Sequence, residues 1–551
     1  MRLLNAKNIV SAVAVALLAA CGGGSAAMNP SPGLPFYPAG KVTHDSILSN
    51  IVGVGDSLTA GYQADGFLGE TRIKNPYNTF TQLPPTQENG WWALLAEQAS
   101  GVPLDSAVAT MYDPSTSPLP LIKGPGLDNL LAFYGTFFPF EPSKTGDICT
   151  DNGGFDQAGY RLKGVPRVRM DPNDSKIRDV GVPGLTLHEA NTLHQPQTST
   201  CKSIPGIPGL LNQVIAEESG TYWPVMYNFR NLPRLTPVNA AASVHPTLAT
   251  VWLGANDVLK YMGSGGRFVG GDRNAAQAED DLRQTISTLK SSGARIVVAN
   301  LPNILETGYF QRAKVPSKGI SACRYASYAW CILKIAGIQF TLDPLVKQFH
   351  LTTPSGCTPT SLTKPCGYIT LQGIQADVNY SNTYGNATLV NFDCTVPKPH
   401  CKPIPGNGLG VYYITPEFAA KVQALNDAIN QGIDNAAHAE SVPLVDIHAI
   451  FSGLASANPS NPYFKEAASI NPGLCCTLGF LWGISSFDGL HPSNTGYALI
   501  ASAFIQTINA AYGTHIPQVN VKAVYDGTRC STKHYCFPDP YAPPNDSPYR
   551  P

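Results

Sequence analysis

The feature that most constrains the fold is an alternation of short apolar, β-prone segments with longer segments of helical pattern. The predicted strands cover residues 51–55, 176–182, 247–254, 295–301 and 442–447. Helices are predicted over residues 91–96, 277–292, 416–437 and 494–512. Parallel strands need long crossovers, which are usually helical, so this alternation favours a parallel sheet with helices on both faces. The chain is therefore predicted to be an α/β protein.

The low charge of the chain excludes several classes of protein. Charged residues make up only 14% of the 551 residues, and the formal net charge is −1. A hydrophobic content of 43% allows a large core and argues against a disordered chain. Because there is no excess of basic residues to contact phosphates, we do not expect nucleic acid as a partner.

The N-terminus has the organisation of an export signal. Arg2 and Lys7 precede an apolar run over residues 9–20, which is too short to span about 30 Å of hydrocarbon as a helix. The run ends in Leu-Ala-Ala before Cys21, a pattern that resembles the lipobox of bacterial lipoproteins. That resemblance implies a signal peptide over residues 1–20, lipid on Cys21, a tether over residues 21–45 and a place in the bacterial cell envelope, at the outer membrane. The alternative is a plain secretory signal that contains a cysteine.

Assigning Cys21 to lipid leaves twelve of the thirteen cysteines, an even number. An exported chain meets an oxidising compartment, so the leading interpretation is up to six disulfides. The runner-up is a zinc site, for which His400 beside Cys401 is the only hint. Four close pairs are candidate local disulfides: Cys323 with Cys331, Cys357 with Cys366, Cys394 with Cys401, and Cys530 with Cys536.

Long irregular segments separate the predicted strands and helices. We predict one domain over residues 46–513, with insertions at about 62–175 and 303–415, followed by a proline-rich tail over residues 514–551. An aromatic cluster at 133–140 either lines a groove or lid for an acyl chain or packs within its own insertion. Long loops of this kind are usually functional or separately cross-linked.

Two separated segments carry groups suited to nucleophilic catalysis. Ser57 follows the first predicted strand in Gly-Asp-Ser-Leu, at the sheet edge where open α/β folds bind ligands. Serine needs a base, and Asp488 and His491 stand three residues apart just before the last helix. Taken singly, Ser57 could cap a helix, and Asp488 could be an exposed cap beside an incidental histidine.

Two further groups could stabilise an oxyanion. Gly184 follows the second predicted strand and offers a backbone N–H, and Asn256 follows the third strand and offers a side-chain amide. Each of them alone could equally belong to a turn. Asp56 and Asp257 are interpreted as turn or supporting groups rather than as catalytic acids.

Taken together, these segments resemble the SGNH/GDSL family of esterases and lipases, in family order. The resemblance implies Ser57 as nucleophile, His491 as base, Asp488 as the acid that orients it, and the Ser57 N–H, Gly184 N–H and Asn256 side chain as oxyanion donors. It also implies a three-layer α/β/α sandwich around a five-stranded parallel flavodoxin-like sheet. The segment over residues 179–184, which carries Gly184, departs from the family pattern because it has Asp179 where asparagine is common.

The expected function is therefore hydrolysis of carboxylic esters through an acyl-enzyme, with no metal and no cofactor. Lipid esters, small acyl esters and acetylated sugars are the candidate substrates, and the lipid anchor is expected to hold the protein at a membrane. A different class of function also fits an anchored, disulfide-rich chain, namely a non-catalytic surface lipoprotein that binds ligands through its insertions. The intact set of five site residues argues against that alternative.

Overall fold

The computed structural model describes residues 46–63, 71–74, 80–83, 87–101, 118–120, 177–193, 225–226, 229, 235–266, 268, 270–307, 310–312, 367–370, 413–455, 490–526 and 528–529. The predicted signal and tether, all thirteen cysteines, the aromatic segment 133–140 and Asp488 lie outside these residues. The expectations about lipidation, disulfides and the orienting acid therefore stay predictions.

The described elements alternate between strands and helices along the chain. The strands are β1 (Ile51–Gly55), β2 (Thr71–Lys74), β3 (Phe80–Leu83), β4 (Asp179–Gly181), β5 (Leu248–Trp252), β6 (Arg295–Ala299), β7 (Phe310–Arg312), β8 (Tyr368–Thr370), β9 (Tyr413–Ile414) and β10 (Leu444–Val445). The α-helices are α1 (Trp91–Ser100), α2 (Leu187–Thr192), α3 (Pro237–Ser243), α4 (Ala255–Gly263), α5 (Ala275–Ser291), α6 (Pro416–Glu440), α7 (Ile447–Ala455), α8 (Asn494–Tyr512) and α9 (Val521–Asp526).

Five of the strands form one parallel sheet, in the order β10-β6-β5-β1-β4. Every neighbouring pair in that sheet is parallel, which confirms the predicted α/β class. Gly55 at the end of β1 pairs with Gly181 on one side and with Trp252 on the other. Three strands therefore end side by side at the carboxyl edge. The remaining described strands form a β2–β3 pair and a separate antiparallel sheet of β7, β8 and β9.

The core lies between the sheet and two groups of helices. Every residue of β1 and β5 is buried, as expected for central strands of a parallel sheet that is covered on both faces. Helix α8 contacts α1 and α9, whereas α5 contacts α2, α3 and α6. In the first group, the rings of Trp91 and Phe504 stack with centroids 4.0 Å apart.

Most of the predicted core elements are confirmed, with small shifts at their ends. The strand predicted over 442–447 is partly wrong, since β10 covers two residues and Ile447 begins α7. Asp446 ends the strand because its carboxylate accepts the N–H of Ala449, and so caps the helix that follows. Helices α2, α3, α4, α7 and α9 were not predicted from the sequence.

Part of the segment after Gly513 packs against the core. Ile516, Val519 and Val524 are buried, and α9 lies against α8. None of the helices in the described ranges is both long enough and apolar enough to cross a membrane.

Candidate active site

Ser57 lies in a tight turn directly after β1. The backbone N–H of Ala60 donates to the Asp56 carbonyl at 3.1 Å, and the N–H of Tyr62 donates to the Ser57 carbonyl at 3.0 Å. Asp56 caps the turn, because its Oδ1 accepts the N–H of Leu58 at 2.9 Å. The capping role considered for Ser57 therefore belongs to Asp56, which leaves the Ser57 hydroxyl for another partner.

That partner is His491, which lies far along the chain just before α8. Nε2 of His491 and Oγ of Ser57 lie 2.8 Å apart. With Nε2 unprotonated, the serine hydroxyl donates and the imidazole accepts, which is the arrangement of a nucleophile with its base. Both residues are only partly buried, so the pair faces the edge of the sheet and remains accessible.

Two buried hydrogen bonds tie the turn after β1 to the beginning of α8. The Tyr497 hydroxyl donates to the Tyr62 carbonyl at 2.6 Å, and the Gln63 amide donates to the Asn494 side chain at 2.8 Å. The ring of Tyr62 also lies against His491, with centroids 4.8 Å apart. These contacts fix the segment that carries the base relative to the segment that carries the nucleophile. Tyr62 was not identified from the sequence, where no spacing or motif marks it.

Asn256 lies beside the turn, in the first turn of α4. Its Nδ2 donates to Asp56 Oδ2 at 3.0 Å and to the Leu185 carbonyl at 3.1 Å. Both amide protons are therefore engaged in the free protein. The arrangement joins the ends of β1 and β5 to the loop after β4, where Gly184 lies.

Gly184 has the left-handed backbone that favours glycine, with φ +83°, and open space where a Cβ would be. Within the described residues, neither the N–H of Gly184 nor the N–H of Ser57 donates a hydrogen bond. These two N–H groups, one of Ser57 itself and one in the loop after β4, are therefore available to donate to another acceptor.

Buried carboxylates hold these segments in place. Burial raises the pKa of Asp56 to about 7, although the Leu58 hydrogen bond and the nearby His491 lower it again in part. Burial also raises the pKa of Asp257 to about 7, against the hydrogen bonds from the N–H groups of Leu187 and Asp272. Both side chains serve as acceptors that connect loops, in agreement with the sequence interpretation.

Asp179 begins β4, the strand that leads to the Gly184 loop. Its Oδ1 accepts the N–H of Gly181 at 2.9 Å, and burial raises the pKa of the carboxyl well above its usual range. In the described part of the chain, the other carboxyl oxygen has no hydrogen-bond partner. A side chain with one acceptor oxygen and no charge would satisfy the same backbone N–H.

The structure thus brings together Ser57, His491, Asn256 and the Gly184 loop at one edge of the sheet. It leaves Asp488 and Cys21 outside the described residues. Comparisons with models of protein families, with curated proteins and with solved structures find no match to this chain. Function is therefore inferred from the residues themselves.

We predict that Asp179→Asn raises the thermal unfolding midpoint at pH 8. The amide keeps the acceptor for Gly181 and removes the charge that the carboxylate carries above its raised pKa. An unpaired neutral amide costs about 1–3 kcal/mol when buried, which is less than the cost of an unpaired charge. Since the folded-state pKa is raised, the wild-type carboxyl stabilises the fold at low pH and loses that contribution as pH rises through the folded pKa. The advantage of the variant should therefore grow between pH 5 and pH 8.

Scanning calorimetry at the two pH values measures this difference. Asp427→Asn, on the exposed face of α6, is the matched control and should show no such gain. An Asp179→Asn protein that is less stable than wild type at pH 8 would contradict the assignment of Asp179 as a single acceptor.

Proposed function

We propose that the protein is a serine ester hydrolase of the SGNH/GDSL type, which cleaves carboxylic esters through an acyl-enzyme. The observation that carries the proposal is the 2.8 Å contact between Ser57 Oγ and His491 Nε2 at the carboxyl edge of a parallel sheet. A hydroxyl is a weak nucleophile until a base takes its proton, and His491 is placed to do so.

The arrangement of the sheet supports the same proposal. Counted along the chain, its five strands lie in the order 2-1-3-4-5, which is the flavodoxin-like order. The two separate groups of helices support a three-layer α/β/α sandwich. In such folds ligands bind outside the carboxyl ends of the strands, where the order reverses, and β1 and β5 meet at that point.

In the proposed first step, His491 accepts the hydroxyl proton while Ser57 Oγ attacks the ester carbonyl carbon. The imidazolium then gives that proton to the departing alcohol, which leaves an acyl group on Ser57. In the second step His491 takes a proton from a water molecule as that water attacks the acyl carbon. The bond from the acyl carbon to Ser57 Oγ then breaks, the imidazolium returns the proton to Oγ, and the acid is released. Asp488, three residues before His491, is the proposed acid that orients the imidazole.

Charge that develops on the carbonyl oxygen needs donors, and three are proposed. The N–H groups of Ser57 and Gly184 have no acceptor in the described residues, so they are ready to donate. Asn256 must in addition release or share one of its two present bonds, to Asp56 or to the Leu185 carbonyl. The raised pKa of Asp56 makes that bond the easier one to give up, since a protonated carboxyl is a weaker acceptor.

The proposal places this activity at a membrane of the bacterial cell envelope, the outer membrane. Cys21 at the end of the apolar N-terminal run is the proposed lipid anchor. The other twelve cysteines are proposed to form disulfides that cross-link the long insertions. An anchor beside a membrane favours lipid-like esters, with small acyl esters and acetylated sugars as the other candidate substrates.

We predict that Ser57→Ala lowers the hydrolysis of a short-chain p-nitrophenyl ester by at least about 10⁴-fold, because no other oxygen replaces the nucleophile. Release of p-nitrophenol measures the rate, and circular dichroism checks the fold. The matched control is Ser291→Ala, an exposed serine on α5, which should hydrolyse the ester at the wild-type rate.

Two results would overturn the proposal. One is a folded Ser57→Ala protein that keeps the wild-type rate. The other is a folded wild-type protein that cleaves none of a panel of esters of varied acyl length, acetylated sugars included, which would favour the ligand-binding lipoprotein instead.

We also predict that Asn256→Ala lowers kcat by about 10²–10³-fold with little change in KM, the usual effect of losing one oxyanion donor. Steady-state kinetics on the same ester separate the two constants. Asn435→Ala, which removes an amide from α6 remote from the site, is the control and should leave both constants unchanged.

Because Asn256 also holds Asp56 and Leu185 together, thermal unfolding is measured alongside the kinetics. A folded Asn256→Ala enzyme whose kcat equals that of wild type would show that its amide only supports the loop.

A further inference from the structure

One histidine and two aspartates, none of which belongs to the segments that carry Ser57 and His491, cluster beside α2. The three residues are His188 on α2, Asp272 before α5 and Asp281 within α5. One potential ligand atom from each lies within 4.8 Å of the other two. His188 Nδ1 and Asp281 Oδ2 are only 3.0 Å apart.

Asp272 is the unusual member of this cluster. Its side chain is 3% exposed, and its Oδ2 is buried without a hydrogen-bond partner in the described residues. The backbone N–H of the same residue is fixed by Asp257 Oδ1 at 2.7 Å, so the residue has little freedom to turn outward. Burial, and then the charges of Asp257 and Asp281, raise the pKa of Asp272 to about 8.

Neither of the neighbouring cationic side chains pairs with Asp272, although Nε and Nη2 of Arg273 are buried without a hydrogen-bond partner in the described residues. Lys260 pairs with Glu189 at 2.9 Å. The guanidinium of Arg273 lies over the ring of Tyr261, 4.9 Å from its centroid. Within the described part of the chain, no lysine or arginine forms a salt bridge with Asp272. A buried carboxylate that faces a histidine and a second carboxylate, with no salt-bridge partner among the described lysines and arginines, suits a metal ion.

We propose that His188, Asp272 and Asp281 bind a divalent transition-metal ion of the zinc class. An imidazole nitrogen with two carboxylate oxygens suits zinc and its neighbours, whereas calcium and magnesium prefer oxygen ligands throughout. Ligand atoms about 2.0–2.2 Å from a tetrahedral zinc ion lie about 3.3–3.6 Å apart, so the widest pair of the cluster would have to close by up to about 1 Å. His188 is half exposed, which leaves room for that adjustment and for water as a further ligand.

Hydrogen bonds already fix the backbone around the cluster without an ion. The carbonyl of Asp281 accepts from Asn191 Nδ2 at 2.9 Å and from Thr285 Oγ1 at 3.1 Å, which joins α5 to α2. A capping box between Thr186 and Glu189 fixes the first turn of α2. The ion would therefore clamp α2, the loop before α5 and α5 itself, and this clamp does not depend on the proposed esterase activity.

The test is a titration of the full chain, stripped with EDTA and kept oxidised, with ZnCl₂ in a calorimeter. Thermal unfolding with and without Zn²⁺ is the second readout. Cysteines could also take zinc, so the decisive quantity is the difference between wild type and variants. We expect His188→Gln and Asp281→Asn to lose one equivalent of zinc, or to bind it at least about tenfold more weakly.

The matched controls are Asp280→Asn, an exposed acid on the same helix, and His438→Gln, an exposed histidine on α6. Both should retain the wild-type stoichiometry and the zinc-dependent rise in unfolding midpoint. The proposal is overturned if wild type, His188→Gln and Asp281→Asn bind equal amounts of zinc with equal affinity and show the same change in midpoint. In that case Asp272 and Asp281 share a proton and need no ion.

Discussion

The two hydrogen bonds that tie the turn after β1 to the start of α8 are the constraint on which the site depends. Tyr497 and Asn494 hold Tyr62 and Gln63, and that contact brings His491 to Ser57 across 434 positions of the chain. The bonds are buried, so each would leave an unpaired polar group if broken, at a cost of about 1–3 kcal/mol. Because the proposed nucleophile and base are so far apart in sequence, tertiary contacts of this kind are needed to hold them together.

Two buried carboxylates also fix the relative positions of the segments that carry the site. Asp56 connects the turn after β1 to Asn256, and Asp257 connects the start of α4 to α2 and to the loop before α5. Burial raises the pKa of both carboxyl groups, and hydrogen bonds from backbone N–H groups lower it again in part. Two of the proposed oxyanion donors, Ser57 and Asn256, thus each stand next in sequence to a buried carboxylate that joins their segment to others.

The core strands and helices, and the position of Ser57 directly after β1, could be predicted because their sequence signals are local. The apolar run of β1 leads straight into Gly-Asp-Ser, and the proline in the first turn of α6 marks where that helix begins. The end of β10 was missed because Asp446 caps α7, which a run of apolar residues does not reveal. Helix α4 was missed because it is short and its N-cap residue, Gly254, has no side chain to form a cap.

Other contacts could not be predicted because they join distant segments. Nothing in the spacing of Asp56 and Asn256 indicates that their side chains meet. The packing of Tyr62 against His491 is likewise a product of the tertiary fold. The cluster of His188, Asp272 and Asp281 depends on how α2 packs on α5, and no motif spacing marks it.

The central claim is that His491 activates Ser57, and a fluorophosphonate probe tests it directly, because such probes react with activated serines. The measurement is the rate of labelling at neutral pH, with the adduct located by peptide mapping, for wild type and His491→Gln. The account predicts a single adduct on Ser57 and labelling at least about 10²-fold slower in the variant. Folded wild-type protein that is not labelled, or that is labelled on Ser57 equally fast without His491, would contradict it.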